Sequence, residues 1–243
     1  MRLIGHRGAR NEAPENTMGG FQHIIGLGLT AVEFDVRLLQ DHQLAVIHDD
    51  NFFRTSGRDQ LVATTLSDQL IHTDNRVGWD NWPTAEPTSL LPEVLSLIEH
   101  FEHIEVEVKA VIDEHEAQIM VQQLHHHLAG WHDRVVITSF DLKVLQALQQ
   151  QKSTFKRGLL VELPFGDAII PIAKQYGCTH IGLKDIFTTQ DLVEKIKFES
   201  LTCSVWTVNN IQRAKQLATW GIDGLITDVP SQMIQANIGN EIA

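Results

Sequence analysis

The chain has 243 residues, a length that suits one α/β barrel of about 250 residues better than a pair of average domains. Its composition, 43% hydrophobic and 21% charged, can bury a sizeable core, and no run nears the ~18 apolar residues of a membrane span, which argues against stable membrane association. A net charge of −12 argues against nucleic acid as a partner, so an anionic substrate would need a local patch of positive charge.

In chain order, a strand is predicted over 2–5, ending on His6-Arg7-Gly8. Asn16 or Thr17 can cap the helix that follows, whose apolar face is Phe21, Ile24, Ile25 and Leu29. Val32, Phe34 and Val36 then alternate with Glu33 and Asp35, the period-two pattern of a strand with both carboxylates on one face. A second apolar run, LAVIH, ends on His48. The polar link 40–43 is too short for a parallel crossover, which needs about a dozen residues or more, so the run must return as the arm of a hairpin. His48 thereby comes back beside the strand of Glu33 and Asp35. A half-exposed hairpin with a charged outer face would give the same pattern, and the rest of the chain decides which face is buried.

Residues 49–88 show no βα unit but several aromatics (Phe52, Phe53, Trp79, Trp82), the mark of an inserted cap segment. Alternation then resumes. Helices are expected over 90–101, through Val121 and Leu124 to Gly130, and over 142–148, 168–176, 192–198 and 214–220, with a closing helix after Pro230. Strands are expected over 104–109, 135–140, 158–162, 180–183, 204–208 and 224–228. Without the hairpin's return arm this makes eight strands alternating with helices, the pattern of a closed (β/α)8 TIM barrel with a small insertion after the second strand. An open doubly wound sheet is the alternative, but no Gly-x-Gly-x-x-Gly turn supports it. The run His125-His126-His127 falls near the end of a long helix and is expected to be partly solvated. Cys178 and Cys203 sit in apolar surroundings and the chain opens directly on a strand pattern, so reduced thiols and a cytoplasmic location are expected.

A helix-sheathed barrel gives the charged faces a direction. Ile104, Val106 and Val108 alternate with Glu105, Glu107 and Lys109, and the charged set points inward. Buried carboxylates there must meet cations or a metal. Glu33, Asp35 and Glu107 offer hard oxygen ligands on neighbouring strands, which suits one divalent cation, Mg²⁺ or Ca²⁺. Glu105 has the same parity and is expected deeper, with Arg2 as its candidate partner. The first strand brings His6 and Arg7 to the same rim. Two histidines can divide acid and base roles, Arg7 can grip a phosphate and Lys109 can add a point charge, a set that fits phosphodiester cleavage.

The sequence resembles the glycerophosphodiester phosphodiesterases, a family of phospholipase-C-like barrels. The matching pieces are GHRG at 5–8, PENT at 14–17, VEFDV at 32–36, IHDD at 47–50, RTSG at 54–57, EVK at 107–109, TSF at 138–140, WTVN at 206–209 and DGLITDVP at 223–230. Each is short, but their number and order make the match specific. The resemblance implies one barrel domain over 1–243 with an insert at 49–88, a metal site of Glu33, Asp35 and Glu107, and catalytic His6 and His48. It also implies phosphate contacts from Arg7 and Lys109, and a substrate pocket lined by Trp206. The implied reaction is metal-dependent hydrolysis of small-molecule glycerophosphodiesters, such as glycerophosphocholine or glycerophosphoethanolamine, to sn-glycerol 3-phosphate and an alcohol. Cleavage of lysophospholipids or of another phosphodiester headgroup, and a catalytically silent binding barrel, are the alternatives. One departure is visible: the hairpin turn, usually Asp-Gly in the family, is here Asp41-His42. The preferred alcohol, a cyclic-phosphate route against direct attack by water, and the oligomeric state are left open.

Overall fold

The computed structural model describes residues 1–239. Strand β1 (Arg2–His6) and helix α1 (Met18–Gly26) lead into β2 (Ala31–Leu38) and the short β3 (Leu44–Val46). The segment that follows holds helix α2 (Phe53–Ser56) and two 3-10 turns, Val62–Thr64 and Ser67–His72, before α3 (Leu91–Leu97). Strand and helix then alternate through β4 (His103–Val108), α4 (Glu114–His127), β5 (Val135–Ser139), α5 (Leu142–Gln150), β6 (Lys156–Val161) and α6 (Ile169–Gln175). The order ends with β7 (His180–Lys184), α7 (Gln190–Phe198), β8 (Thr202–Trp206), α8 (Ile211–Trp220), β9 (Gly224–Thr227) and α9 (Pro230–Gln235).

Every strand but β3 pairs in parallel with its neighbours, and β1 joins both β2 and β9, so the sheet closes into an eight-stranded (β/α)8 barrel. Thr17 caps α1 by accepting from the Gly20 amide. The outward set Val32, Phe34, Val36, Ile104, Val106 and Val108 joins Phe21, Ile24, Leu91, Val94 and Ile98 in one continuous core between sheet and helices. Phe21 meets Phe34 edge to face, 5.8 Å between ring centroids. With the apolar alternates turned to the helices, Glu33, Asp35, Glu105 and Glu107 face inward, and all four are buried.

Several boundaries differ from the sequence expectation. Strands β6 and β8 begin two residues earlier, because Lys156 pairs with Val136 and Thr202 with His180. Their polar first residues lie at the barrel foot, where solvent reaches them, so they carry no apolar signal. Helix α3 stops at Leu97 rather than continuing to 101.

The hairpin uses an opening that the barrel leaves. Strand β1 reaches only as far as Glu33 along β2, and beyond it β3 takes the same edge, with Val36 opposite Val46 and Leu38 opposite Leu44. Its turn closes through His42, which adopts a left-handed φ of 62°, and the His42 amide donates to the Leu39 carbonyl at 3.0 Å. The turn that glycine would make freely is thus made here by a histidine, at some steric cost. The inserted segment packs Phe52, Val62 and Leu70 on the hairpin's Leu39, Ala45 and Ile47. It is stitched to α1 by buried Glu86, which accepts from Trp82 Nε1 at 2.8 Å and from the Gly19 amide at 3.0 Å.

Candidate active site

At the carboxyl end of the strands lies a cavity of about 380 Å³. His6, Arg7, Glu33, His48, Glu107, Lys109 and Trp206 line it, while Asp35 lies just beneath, fully buried. The structure therefore brings together the eight residues expected to act on substrate or metal.

The first turn after β1 is fixed by two bonds. The Arg7 amide donates to the Glu33 carbonyl at 2.8 Å and sits 3.2 Å from Glu33 Oε2. Arg7 is left-handed (φ 51°), as is Gly8 (φ 88°), and this sharp turn directly follows His6, so both His6 and Arg7 reach the cavity. Gly5 is required here because a Cβ would run into the Gly8 carbonyl oxygen.

Each histidine is anchored through Nδ1. His6 Nδ1 lies 2.6 Å from Asp228 Oδ1, and His48 Nδ1 lies 2.6 Å from Asp49 Oδ1. Both aspartates are held ionised. For Asp228 burial pushes the carboxyl up, but the hydrogen bond and charge of His6, the Asn209 hydrogen bond and the charge of Arg10 together hold it below the ordinary range; for Asp49, drawn down to about 2, Arg54 and His48 together do the same. An ionised carboxylate only accepts, so each imidazole must carry its proton on Nδ1 and present a bare Nε2 when neutral. His6 Nε2 sits 3.8 Å from Glu33 Oε2. Burial pushes both histidines below the usual imidazole range, opposed by Asp228 at His6 and by Asp35 at His48. Both shifts favour the neutral imidazole with Nε2 free to take a proton.

Glu33, Asp35 and Glu107 offer oxygens that all lie within 4.8 Å of one another, the one such cluster of ligand groups among the described residues. Asp35 accepts from Asn16 Nδ2 at 2.8 Å and Lys109 Nζ at 3.1 Å, and Arg7 Nε stands 3.1 Å away without hydrogen-bond alignment. Burial alone would raise the Asp35 carboxyl, yet these cations hold it far below the ordinary carboxylate range. Its two neighbours go the other way. Burial and the Asp35 charge push Glu107 up to about 7, although Lys109 contacts it, and raise Glu33 well above its ordinary value. Glu33 Oε1 is buried without a hydrogen-bond partner. Three hard oxygen donors, one of them orphaned and two reluctant to ionise for want of positive charge, fit a divalent cation.

One expectation fails. Glu105 does lie deeper, but its partners are His103 Nε2 at 3.2 Å, Ser204 Oγ at 3.1 Å and His180 Nε2 at 3.6 Å, not Arg2, whose side chain is exposed at the barrel foot. His103 stands two residues before Glu105 on the same strand, but His180 and Ser204 come from β7 and β8, a convergence that parity along one strand cannot show. Reasoning from the sequence also missed Asp228, Asp49, Asn16 and Glu15. Glu15 accepts from Arg7 Nη1 at 2.9 Å and from Arg54 Nη1 and Nη2, and these arginines, against its burial, hold it at about 2. The motifs PENT, IHDD and DGLITDVP contain all four of these residues, and that was their signal.

The sequence model of the glycerophosphoryl diester phosphodiesterase family matches residues 6–232. The chain belongs to this family. It is by that membership a phosphoric diester hydrolase. A glycerophosphodiester phosphodiesterase of Bacillus altitudinis is 27% identical, over 96% of this chain and 97% of the relative. A lysophospholipase D of Rattus norvegicus is 26% identical over 96% of this chain and 84% of the relative. Among solved structures, a phosphodiesterase of Oleispira antarctica in complex with the product sn-glycerol-3-phosphate shares the barrel with a TM-score of 0.88. It is 22% identical, over 98% of this chain and 96% of that one. Among the described residues no helix is long and apolar enough to cross a membrane.

Proposed function

We propose that the chain hydrolyses small glycerophosphodiesters, glycerophosphocholine and glycerophosphoethanolamine among them, to sn-glycerol 3-phosphate and the free alcohol. The observation that carries this reading is the pairing of two Nδ1-anchored imidazoles with one three-carboxylate cluster in a single small cavity. In this reading Glu33, Asp35 and Glu107 hold one Mg²⁺ or Ca²⁺, which when bound supplies Lewis-acid stabilisation of charge developing on oxygen. Arg7 and Lys109, whose cations border the cluster, contact the phosphate. Trp206, packed edge to face on Phe140 with 5.5 Å between centroids, forms the apolar wall against which the substrate's carbon skeleton rests.

His6 and His48 move the protons. One imidazole enters the step neutral and takes the proton of the attacking hydroxyl on Nε2, while the other enters as the imidazolium, having drawn its proton from solvent, and gives it to the departing alkoxide. Their aspartates stabilise each transient imidazolium. The attacking hydroxyl is the one adjacent to the phosphorylated carbon of the glycerol, so attack is intramolecular and closes a cyclic phosphate. Tethering of this kind contributes on the order of 7–11 kcal/mol when well aligned. Water then opens the ring with the histidines in exchanged roles.

The test is turnover of glycerophosphocholine, read by coupled detection of glycerol 3-phosphate, with Mg²⁺ or Ca²⁺ and then with excess chelator. Activity should vanish with chelator, and His6→Ala and His48→Ala should each lower kcat about a hundredfold or more. Wild-type turnover in either variant would remove that histidine from the mechanism. A diester lacking the adjacent hydroxyl should bind but turn over very slowly, and cleavage at a comparable rate would exclude the cyclic route.

A further inference from the structure

Four strongly basic side chains line the cavity, Arg7, Arg10, Arg37 and Lys109, and three of them are already answered by carboxylates. Arg7 is paired with Glu15 and Asp35, Arg10 with Glu15, and Lys109 with Asp35 and Glu107. Arg37 is different. It is half-buried at the end of β2, and among the described residues no carboxylate oxygen lies within ion-pair distance of it. Among the described residues its one side-chain hydrogen bond runs from Nε to the carbonyl oxygen of His48, at 2.8 Å. The four N–H groups on Nη1 and Nη2 make no hydrogen bond to the described residues. A partly dehydrated guanidinium without a counter-anion is costly, and a phosphate diester is the anion the cavity would receive.

We propose that Arg37 is a further residue that grips the substrate's phosphate, beside Arg7 and Lys109, with its Nη groups on a non-bridging oxygen and its Nε holding His48 at a set distance from the same group. The inference rests on the phosphodiester reading above and adds to it a residue that the family resemblance did not mark. The guanidinium makes both contacts at once because its fork is planar and rigid: fixing Nε on a backbone carbonyl fixes the direction of Nη1 and Nη2. Arg7 and Lys109 have the opposite character, since their charge is largely spent on the carboxylates below. A purely structural Arg37 would act only through the His48 backbone, and affinity for a phosphate ligand separates the two roles.

The experiment compares wild type, Arg37→Gln and Arg37→Lys in the presence of Mg²⁺ or Ca²⁺. It measures kcat and KM with glycerophosphocholine, and calorimetric binding of sn-glycerol 3-phosphate. R37Q should bind glycerol 3-phosphate about tenfold to a hundredfold more weakly, the worth of a charge-assisted hydrogen bond, and R37K should regain part of the loss. A second measurement needs no variant. In wild type, modification of Arg37 by a dicarbonyl reagent, mapped by peptide mass spectrometry, should be slowed severalfold by saturating glycerol 3-phosphate. If wild type turns the diester over while R37Q binds glycerol 3-phosphate within twofold of it, or if Arg37 modification is not slowed, the inference is overturned alone. A wild type that neither binds glycerol 3-phosphate nor cleaves the diester would overturn the phosphodiester reading together with it.

Discussion

Asp228→Asn is the sharpest probe of how the site is wired, because it changes one charge and almost no volume. Asp228 accepts from His6 Nδ1 at 2.6 Å through Oδ1, and from Asn209 Nδ2 at 2.7 Å through Oδ2. An asparagine can keep the Asn209 bond with its oxygen only by turning its amide nitrogen toward His6. Both groups would then be donors, unless the imidazole moves its proton to Nε2, and that is the nitrogen the chemistry needs bare. The variant also removes the hydrogen bond and charge that offset the burial of His6. A hydrogen bond to a charged group contributes about 1.5–3 kcal/mol, and one pKa unit is about 1.36 kcal/mol, so the His6 pKa should fall by about one to two units. The limb of the kcat/KM–pH profile that belongs to His6 should move to lower pH by that amount, and kcat should fall about a hundredfold. Asp228→Ala, which lets water replace the carboxylate and imposes no tautomer, should be the more active of the two variants. Profiles are measured from pH 5 to 9 with the coupled assay, and melting curves confirm the fold. An unmoved limb in Asp228→Asn, or Asp228→Ala slower than Asp228→Asn, would refute the tautomer argument.

Two further outcomes follow from the same site. Glu107 keeps its proton in the cation-free fold until about pH 7, against an ordinary glutamate value of 4.5. Between these values the folded state binds more protons than the unfolded, so stability of the cation-free protein should fall as pH rises through that window. Adding Mg²⁺ or Ca²⁺ at pH 8 should restore it. A melting temperature in chelator that rises from pH 5 to pH 7 would count against the carboxylate assignment, once the background trend has been measured in Glu107→Gln. Gly5→Ala forces a Cβ onto the Gly8 carbonyl and should cost about 1–3 kcal/mol in denaturant unfolding, with a loss of kcat because the same turn carries His6 and Arg7. Wild-type stability and kcat in that variant would show that the turn is looser than its contacts imply.

How much of this was legible beforehand depends on the distance along the chain over which each signal acts. The alternations 32–36 and 104–108 are local, and once helices flank the strands the apolar alternates must turn outward, which aims Glu33, Asp35, Glu105 and Glu107 inward. The four-residue link 40–43 forces a hairpin by length alone, and so returns His48 to the strand of Asp35, where the Ile47 amide donates to the Asp35 carbonyl at 3.1 Å. The barrel, the carboxylate cluster and the two histidines were therefore open to a reader of the sequence.

Tertiary structure decided which groups complete the charges. Asp228 meets His6 across 222 positions, an encounter that exists only because β9 pairs with β1 and closes the barrel. Glu105 finds His180 and Ser204 across the barrel interior, where parity suggested Arg2 at its foot. Arg7 and Arg37 both line the cavity, yet Glu15 and Asp35 pair with the first, while among the described residues no carboxylate pairs with the second. Periodicity is a property of one strand and survives in the sequence. Ion pairing depends on distances between strands and loops, and those are set only when the sheet closes.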